Sequence, residues 1–153
     1  MNRKILWISV TSITLIIIDQ LIKLQVYREL KSTESLSVIR GVLNLTYVEN
    51  TGVAFGMGAN SLNLLIIATV LVLVGIISFI ILKKEELSTA ILTGLSLIIA
   101  GGVGNLLDRI FRGFVIDYID INPLFRFPVF NLADICIVVG SVVIAIKILK
   151  GKS

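Results

Sequence analysis

Four aspartates carry the chemistry that this sequence can offer. Asp134 sits about one turn inside an apolar run, 129–149, that otherwise reads as a membrane-spanning helix. An ionisable group at such depth costs roughly 2.5–3.5 kcal/mol on insertion scales. It is kept when it is paired, lines a wet cavity or reacts. Asp19, Asp108 and Asp117 fall where the chain topology brings them to the same side of the membrane. Close carboxylates in a poorly solvated place cannot both ionise cheaply, so one keeps a proton while the other acts as a base. The chain has no histidine and a single cysteine. That excludes Ser-His and Cys-His nucleophile pairs, a histidine metal site, a cysteine cluster and an intrachain disulfide. Neither a metal nor a cofactor is expected.

The elements that must hold these groups are apolar. The 153 residues are 56% hydrophobic, and the mean hydropathy is +1.01. A soluble domain needs a far more polar surface. The expectation is an all-α integral membrane protein, one polytopic domain over 1–153. Four transmembrane helices are expected at about 5–27, 61–82, 87–107 and 129–149, each near the ~20 residues that a bilayer core requires. The net charge of +4 is not gathered in one tract, which argues against a nucleic-acid partner. The basic start followed by an apolar run looks like a signal peptide. It meets Asp19-Gln20 rather than a small-residue cleavage site, so it is read as an uncleaved first helix.

With four spans, both termini and the Lys83–Glu86 turn share one side. Arg3, Lys4, Lys83, Lys84, Lys147, Lys150 and Lys152 crowd into its three short segments. The positive-inside rule makes that side cytoplasmic. Two stretches remain on the other side. The first, 28–60, contains Leu43-Asn44-Leu45-Thr46-Tyr47, whose alternation predicts a small extracytoplasmic β element between helices 1 and 2. This stretch could form a cradle or lid on the membrane surface. The second, 109–130, holds Pro123 and Pro128, and its 115–119 run could be extended.

The unusual polar residues then collect in one leaflet. Asp19 lies about 21 Å up a core about 30 Å thick, and Lys23 follows on the same helix face at i+4. Asn50 precedes the second span, Asn105, Asp108 and Arg109 end the third, and Asn131 and Asp134 begin the fourth. Several have structural readings. Asp19 and Lys23 could pair to fix a helix end. Asp108 could orient Arg109 or Asn105, or belong with Arg109 to an ion network, and Arg109 could snorkel to the interface. Asn131 could cap the fourth helix, but a cap does not account for an acid as deep as Asp134 is expected to be. Gly94, Gly101, Gly102 and Gly104 read as helix-packing positions, or as room for a substrate backbone. Cys136, roughly 200° around the helix from Asp134, reads as a small packing residue. From residues alone this is an outer-leaflet aspartate site of undecided chemistry. A proton-coupled transporter relaying through Asp19, Lys23 and Asp134, and a non-enzymatic membrane scaffold, are the alternatives. No repeat symmetry of the transporter kind is visible.

Five motifs in register carry a resemblance. They are Asp19-Gln20-Leu21-Ile22-Lys23, Glu49-Asn50-Thr51-Gly52-Val53-Ala54-Phe55, Gly101-Gly102-Val103-Gly104-Asn105-Leu106-Leu107-Asp108-Arg109, Val115-Ile116-Asp117-Tyr118 and Phe130-Asn131-Leu132-Ala133-Asp134. Together they resemble the bacterial lipoprotein signal peptidases (signal peptidase II), over nearly the whole chain. The resemblance implies an intramembrane aspartyl endopeptidase acting on prolipoproteins whose lipobox cysteine carries diacylglycerol. It implies Asp117 and Asp134 as the catalytic pair, with Asp19, Lys23, Asn50, Gly52, Asn105, Asp108, Arg109, Asn131 and Ala133 in substrate-binding or supporting positions. It implies a monomer in the bacterial cytoplasmic membrane, with lipidated prolipoproteins and membrane lipid as partners. Tyr118 stands where the family commonly has Phe, and Val53 where it commonly has Ala. Neither change touches a carboxylate.

Overall fold

The structure, a computed structural model, describes residues 3–33, 35–52, 60–83 and 85–151. Four helices are long and apolar enough to cross a membrane: α1 (Arg3–Leu30), α2 (Asn60–Lys83), α3 (Thr89–Arg112) and α4 (Leu132–Leu149). Their outward faces are apolar, with Leu71, Leu82 and Leu149 among the most exposed side chains. Polar groups are buried beside the apolar core, including Asp19, Lys23, Asp108, Asp117 and Asn131. That inverted pattern suits lipid as the surrounding solvent.

Helix α3 is the centre, and α1, α2 and α4 pack around it. Small residues set the distances. A Cβ on Gly101 would collide with the Ala133 carbonyl of α4, and one on Gly94 would lie 2.7 Å from the Gly140 carbonyl. Gly102 faces Leu73 of α2. These contacts agree with the packing reading of the glycines, and buried Cys136 agrees with its own.

The expected β element is present and larger than the alternation suggested. Strands β1 (Ser35–Ile39) and β2 (Leu43–Asn50) form a hairpin between α1 and α2, and β3 (Val115–Asp120) joins from between α3 and α4. The sheet is antiparallel, in the order β1-β2-β3. β1 was not legible because all five of its residues are exposed, so no buried face imposes alternation. Val26 and Leu30 of α1 pack beneath the sheet against Ile116 and Tyr118. The strand bearing Asp117 is thereby held on top of the helix bundle.

Helix boundaries differ from expectation, α1 running to Leu30 among them, and two of the differences bear on the polar cluster. α3 continues to Arg112, where Gly113 (φ 83°) ends it in a left-handed cap and donates its N–H to the Arg109 carbonyl. α4 starts at Leu132 rather than near 129. Phe130 is committed to β pairing instead: its N–H donates to Ile119 O (3.1 Å) and its O accepts from Ile119 N (2.7 Å). Residues 53–59, which include Val53, Ala54 and Phe55 of the second motif, lie outside the described residues.

Candidate active site

The late start of α4 changes the reading of Asp134. It is not deep in the helix; it is the third residue of the first turn. Asn131 is the N-cap, its Oδ1 accepting from Asp134 N at 2.9 Å, and Asp134 Oδ2 accepts from Asn131 N at 3.1 Å. This is a reciprocal capping box. The cap therefore does account for one oxygen of Asp134, contrary to the expectation from helix length. The other oxygen, Oδ1, accepts from Asn105 Nδ2 at 2.7 Å.

Asp117 lies in the middle of β3, between Ile116 and Tyr118 of the buried cluster, and is itself buried. It pairs across the ladder with Val48. Asn50 is two residues along from Val48, so it shares a sheet face with Asp117 at a diagonal position. Asn50 Nδ2 donates to Asp117 Oδ2 at 2.8 Å. Asn50 is itself oriented by the Gly52 N–H, which donates to its Oδ1 at 2.8 Å. The second oxygen of Asp117 accepts from Asn131 Nδ2 at 2.6 Å. Burial pushes the Asp117 carboxyl up, Asn50 opposes, and repulsion from Asp134 adds to the rise. The result is about 6.

Asn131 thus joins the two acids: its side chain donates to Asp117 and its backbone to Asp134. Its Nδ2 also donates to Asn105 Oδ1 at 3.1 Å. The same Asn105 oxygen accepts from Lys23 Nζ at 2.9 Å. Lys23 is fully buried and also meets Asp19 Oδ2 and Asp108 Oδ2, each at 2.9 Å. Asp19 Oδ1 accepts from the Ala133 N–H at 3.1 Å, which ties α1 to the first turn of α4. Gly104 lets this happen, since a Cβ there would stand 2.7 Å from Asp19 Oδ2.

The Asp19–Lys23 pair forms as expected, but Asp108 does not serve Arg109. Its partners are Lys23 and Arg112, with the Ile116 N–H at 3.3 Å. Arg112 is i+4 from Asp108 and so shares its face, whereas Arg109 is about 100° away. Two cations and two anions make this cluster neutral overall. Arg112 and Gln20 were not singled out from sequence. Gln20 Nε2 donates to Gly104 O at 3.1 Å, and its Oε1 accepts from Arg112 at 3.4 Å. Arg112 lay beyond the expected end of the third span; the i+4 spacing was the available signal. Arg109 turns instead toward the Asn50–Gly52 corner. Its Nη1 donates to Asn105 O at 3.4 Å, and its Nε is buried with no hydrogen-bond partner among the described residues. A Cβ on Gly52 would lie 3.6 Å from Arg109 Nη2.

All eleven residues proposed from the sequence are therefore found at one end of the bundle, in one connected polar region. Chemically, the arrangement offers two acids bridged by one asparagine, amide donors on both, and a guanidinium beside them.

The fold is that of a multi-pass membrane enzyme. A solved bacterial membrane enzyme superposes with a TM-score of 0.86 at 31% identity, covering 99% of this chain and 96% of that one. A second such structure gives a TM-score of 0.82, also at 31% identity, covering 98% of this chain and 89% of that one. The model of the family described as Signal peptidase (SPase) II matches residues 11–150. A lipoprotein signal peptidase of Clostridium novyi (strain NT) is 38% identical, covering 88% of this chain and 92% of the relative. The one of Halothermothrix orenii is 40% identical, covering 88% and 89%. The chain belongs to the signal peptidase II family and is a peptidase. Neither the transporter nor the scaffold reading survives that membership.

Proposed function

We propose that this protein is an aspartic endopeptidase that removes the signal peptide from diacylglyceryl-modified prolipoproteins, cutting before the lipidated cysteine. Asp117 and Asp134 are the catalytic pair. The observation that carries the reading is the bridge through Asn131, which donates to both acids at once.

In this mechanism the ionised member of the pair takes a proton from a water, whose oxygen attacks the scissile carbonyl carbon. The protonated member keeps its proton and hydrogen-bonds to the carbonyl oxygen as that oxygen becomes an oxyanion. The C–N bond then breaks, and the cysteine nitrogen leaves with a proton from the pair. The proton belongs to the pair rather than to either residue. Asn50, Asn105 and Asn131 hold the carboxylates in place. Arg109 and the Asn50–Gly52 corner receive the substrate backbone and steady the oxyanion. Asp19, Lys23, Asp108 and Ala133 fix the first turn of α4 and the last turns of α3 around the pair.

The setting follows from the substrate. A diacylglyceryl cysteine is anchored in the outer leaflet, with its signal helix across the bilayer. A site toward the extracytoplasmic face of the cytoplasmic membrane, with both termini cytoplasmic, meets the cleavage point without extracting the lipid. The whole chain acts as one membrane domain and as a monomer.

The test is cleavage of a diacylglyceryl prolipoprotein by purified protein, read by mass spectrometry. Cutting before the modified cysteine should be abolished by Asp117→Asn and by Asp134→Asn, with both variants folded. Full activity in either folded variant removes that residue from the pair.

A further inference from the structure

Tyr118 holds the backbone on both sides of Asn131. Its N–H donates to the Phe130 carbonyl at 3.0 Å, and its hydroxyl oxygen accepts from the Leu132 N–H at 3.3 Å. Asn131 lies between them in extended backbone, with φ -134° and ψ 179°. In that conformation the carbonyl before a residue and the N–H after it point to one side, and the residue's own N–H points to the other. The contacts follow that division. Tyr118 takes the first side, and on the second the Asn131 N–H donates to Asp134 Oδ2 at 3.1 Å.

Alternation along β3 turns the Tyr118 ring away from the face that carries Asp117 and into the buried cluster with Val26, Leu30 and Ile116. The residue is only 4% exposed, so packing holds its hydroxyl at one point. That point matters to α4. A helix leaves the N–H groups of its first turn without partners inside the helix. Here three of them find side chains from three different places. The Leu132 N–H meets Tyr118 of β3, the Ala133 N–H meets Asp19 of α1, and the Asp134 N–H meets the Asn131 cap. Tyr118→Phe would keep the ring and the backbone contact but would take the acceptor away from Leu132.

We propose that Tyr118 is a positioning residue of the Asp117–Asp134 pair. Its two contacts fix the backbone of Asn131. Through that backbone they aim the amide that donates to Asp117 at 2.6 Å, and the cap that accepts from Asp134 N at 2.9 Å. The two acids are thereby kept at the spacing at which they share one proton. The inference rests on the peptidase reading above and adds a residue that touches neither acid through its side chain.

The experiment assays full-length Tyr118→Phe on a diacylglyceryl prolipoprotein, beside wild type and Asp117→Asn. The expected result is a fall in kcat of about fivefold, the scale of one neutral hydrogen bond, with KM within about twofold. A contact that only stabilised the fold would lower the melting temperature and leave the kcat of folded protein unchanged. A second change removes the donor instead of the acceptor. Replacing Leu132 by its α-hydroxy analogue turns the 131–132 amide into an ester, which has no N–H. That replacement should cost about fivefold more in wild type than in Tyr118→Phe, where the hydroxyl is already gone. Full kcat in folded Tyr118→Phe, with any loss confined to KM, overturns the proposal. Equal ester losses in the two backgrounds overturn it as well. Wild type that does not cleave, or Asp117→Asn that cleaves fully, is instead a failure of the peptidase reading, and the inference falls with it.

Discussion

Lys23 of α1 donates to the side-chain oxygen of Asn105 on α3 at 2.9 Å, and this decides which end of the Asn105 amide faces the Asp117–Asp134 pair. With its oxygen held by an ammonium that cannot accept, Asn105 must present its NH2 to Asp134, as it does at 2.7 Å. A lysine that touches neither acid of the pair thus determines the hydrogen bonding of one of them. The same ammonium compensates Asp19 and Asp108, so structural and positioning roles are joined in one atom.

Lys23→Met should therefore be severe. It leaves two buried carboxylates without their shared cation, and breaking a buried ion pair from one side costs about 3–5 kcal/mol. Thermal unfolding in detergent checks this. Adding Asp108→Asn to Lys23→Met removes one stranded charge and should recover part of the loss. A double variant no more stable than the single one would mean that the cluster is better solvated than its burial implies.

The pH dependence follows from Asp117, whose carboxyl is pushed up from 3.8 to about 6, first by burial and further by repulsion from Asp134. The folded chain therefore binds more protons than the unfolded chain between these values. Stability should fall as pH rises through that window and level off above it. Asp117→Asn removes a buried charge and should raise stability at pH 7.5 by about 1–3 kcal/mol. The proposed mechanism needs one proton on the pair, so kcat/KM should decline on the alkaline side with an apparent midpoint near 6. A rate that stays flat from pH 5 to about 8.5, beyond that window, would show that a bound substrate or a different group sets the proton inventory.

How much of this was legible depends on what each residue was responding to. The four helices follow from apolar length alone, and lipid enforces that signal along nearly every residue of α2. The end at which the polar residues gather followed from helix direction. Partner choice did not. Asp108 pairs with Arg112 because α3 runs a turn past the expected end of its span, and only the Gly113 cap shows where it stops. The depth of Asp134 was misjudged because Val129 and Phe130 are apolar and look helical. The Phe130 backbone is taken by Ile119, a contact between segments that hydropathy does not register. The exposed strand β1 left no periodic trace for the same kind of reason.

Gly52 offers a test of how far the Asn50 amide must be held. Its φ of 70° favours glycine, and a Cβ there would come to 2.6 Å from Leu65 Cδ1. Gly52→Ala should cost about 1–2 kcal/mol in backbone strain and crowding. It should also loosen the N–H that orients Asn50 against Asp117. The expected outcome is at least a tenfold loss in kcat with a smaller drop in melting temperature. Unchanged turnover would place the Asn50 amide outside the reaction.

Arg109 and Arg112 stand three residues apart on α3 and should fail in opposite ways. Arg112 is engaged with Asp108 and Gln20, at the outer edge of the ion cluster. Arg112→Gln should lower the melting temperature by several degrees and leave cleavage within about fivefold, because among the described residues it bonds to neither Asp117 nor Asp134. Among the described residues, Arg109 has a buried Nε without a partner and one long bond to Asn105 O, beside the Asn50–Gly52 corner. Its donors fit a group that arrives with the substrate. Arg109→Gln should reduce kcat/KM by about 100-fold, the scale of one lost oxyanion donor, with little change in melting temperature. Cleavage rates and unfolding curves on both variants separate the roles. If Arg109→Gln instead unfolds the protein and cleaves normally when folded, the guanidinium is a brace and the oxyanion must be met by the asparagines alone.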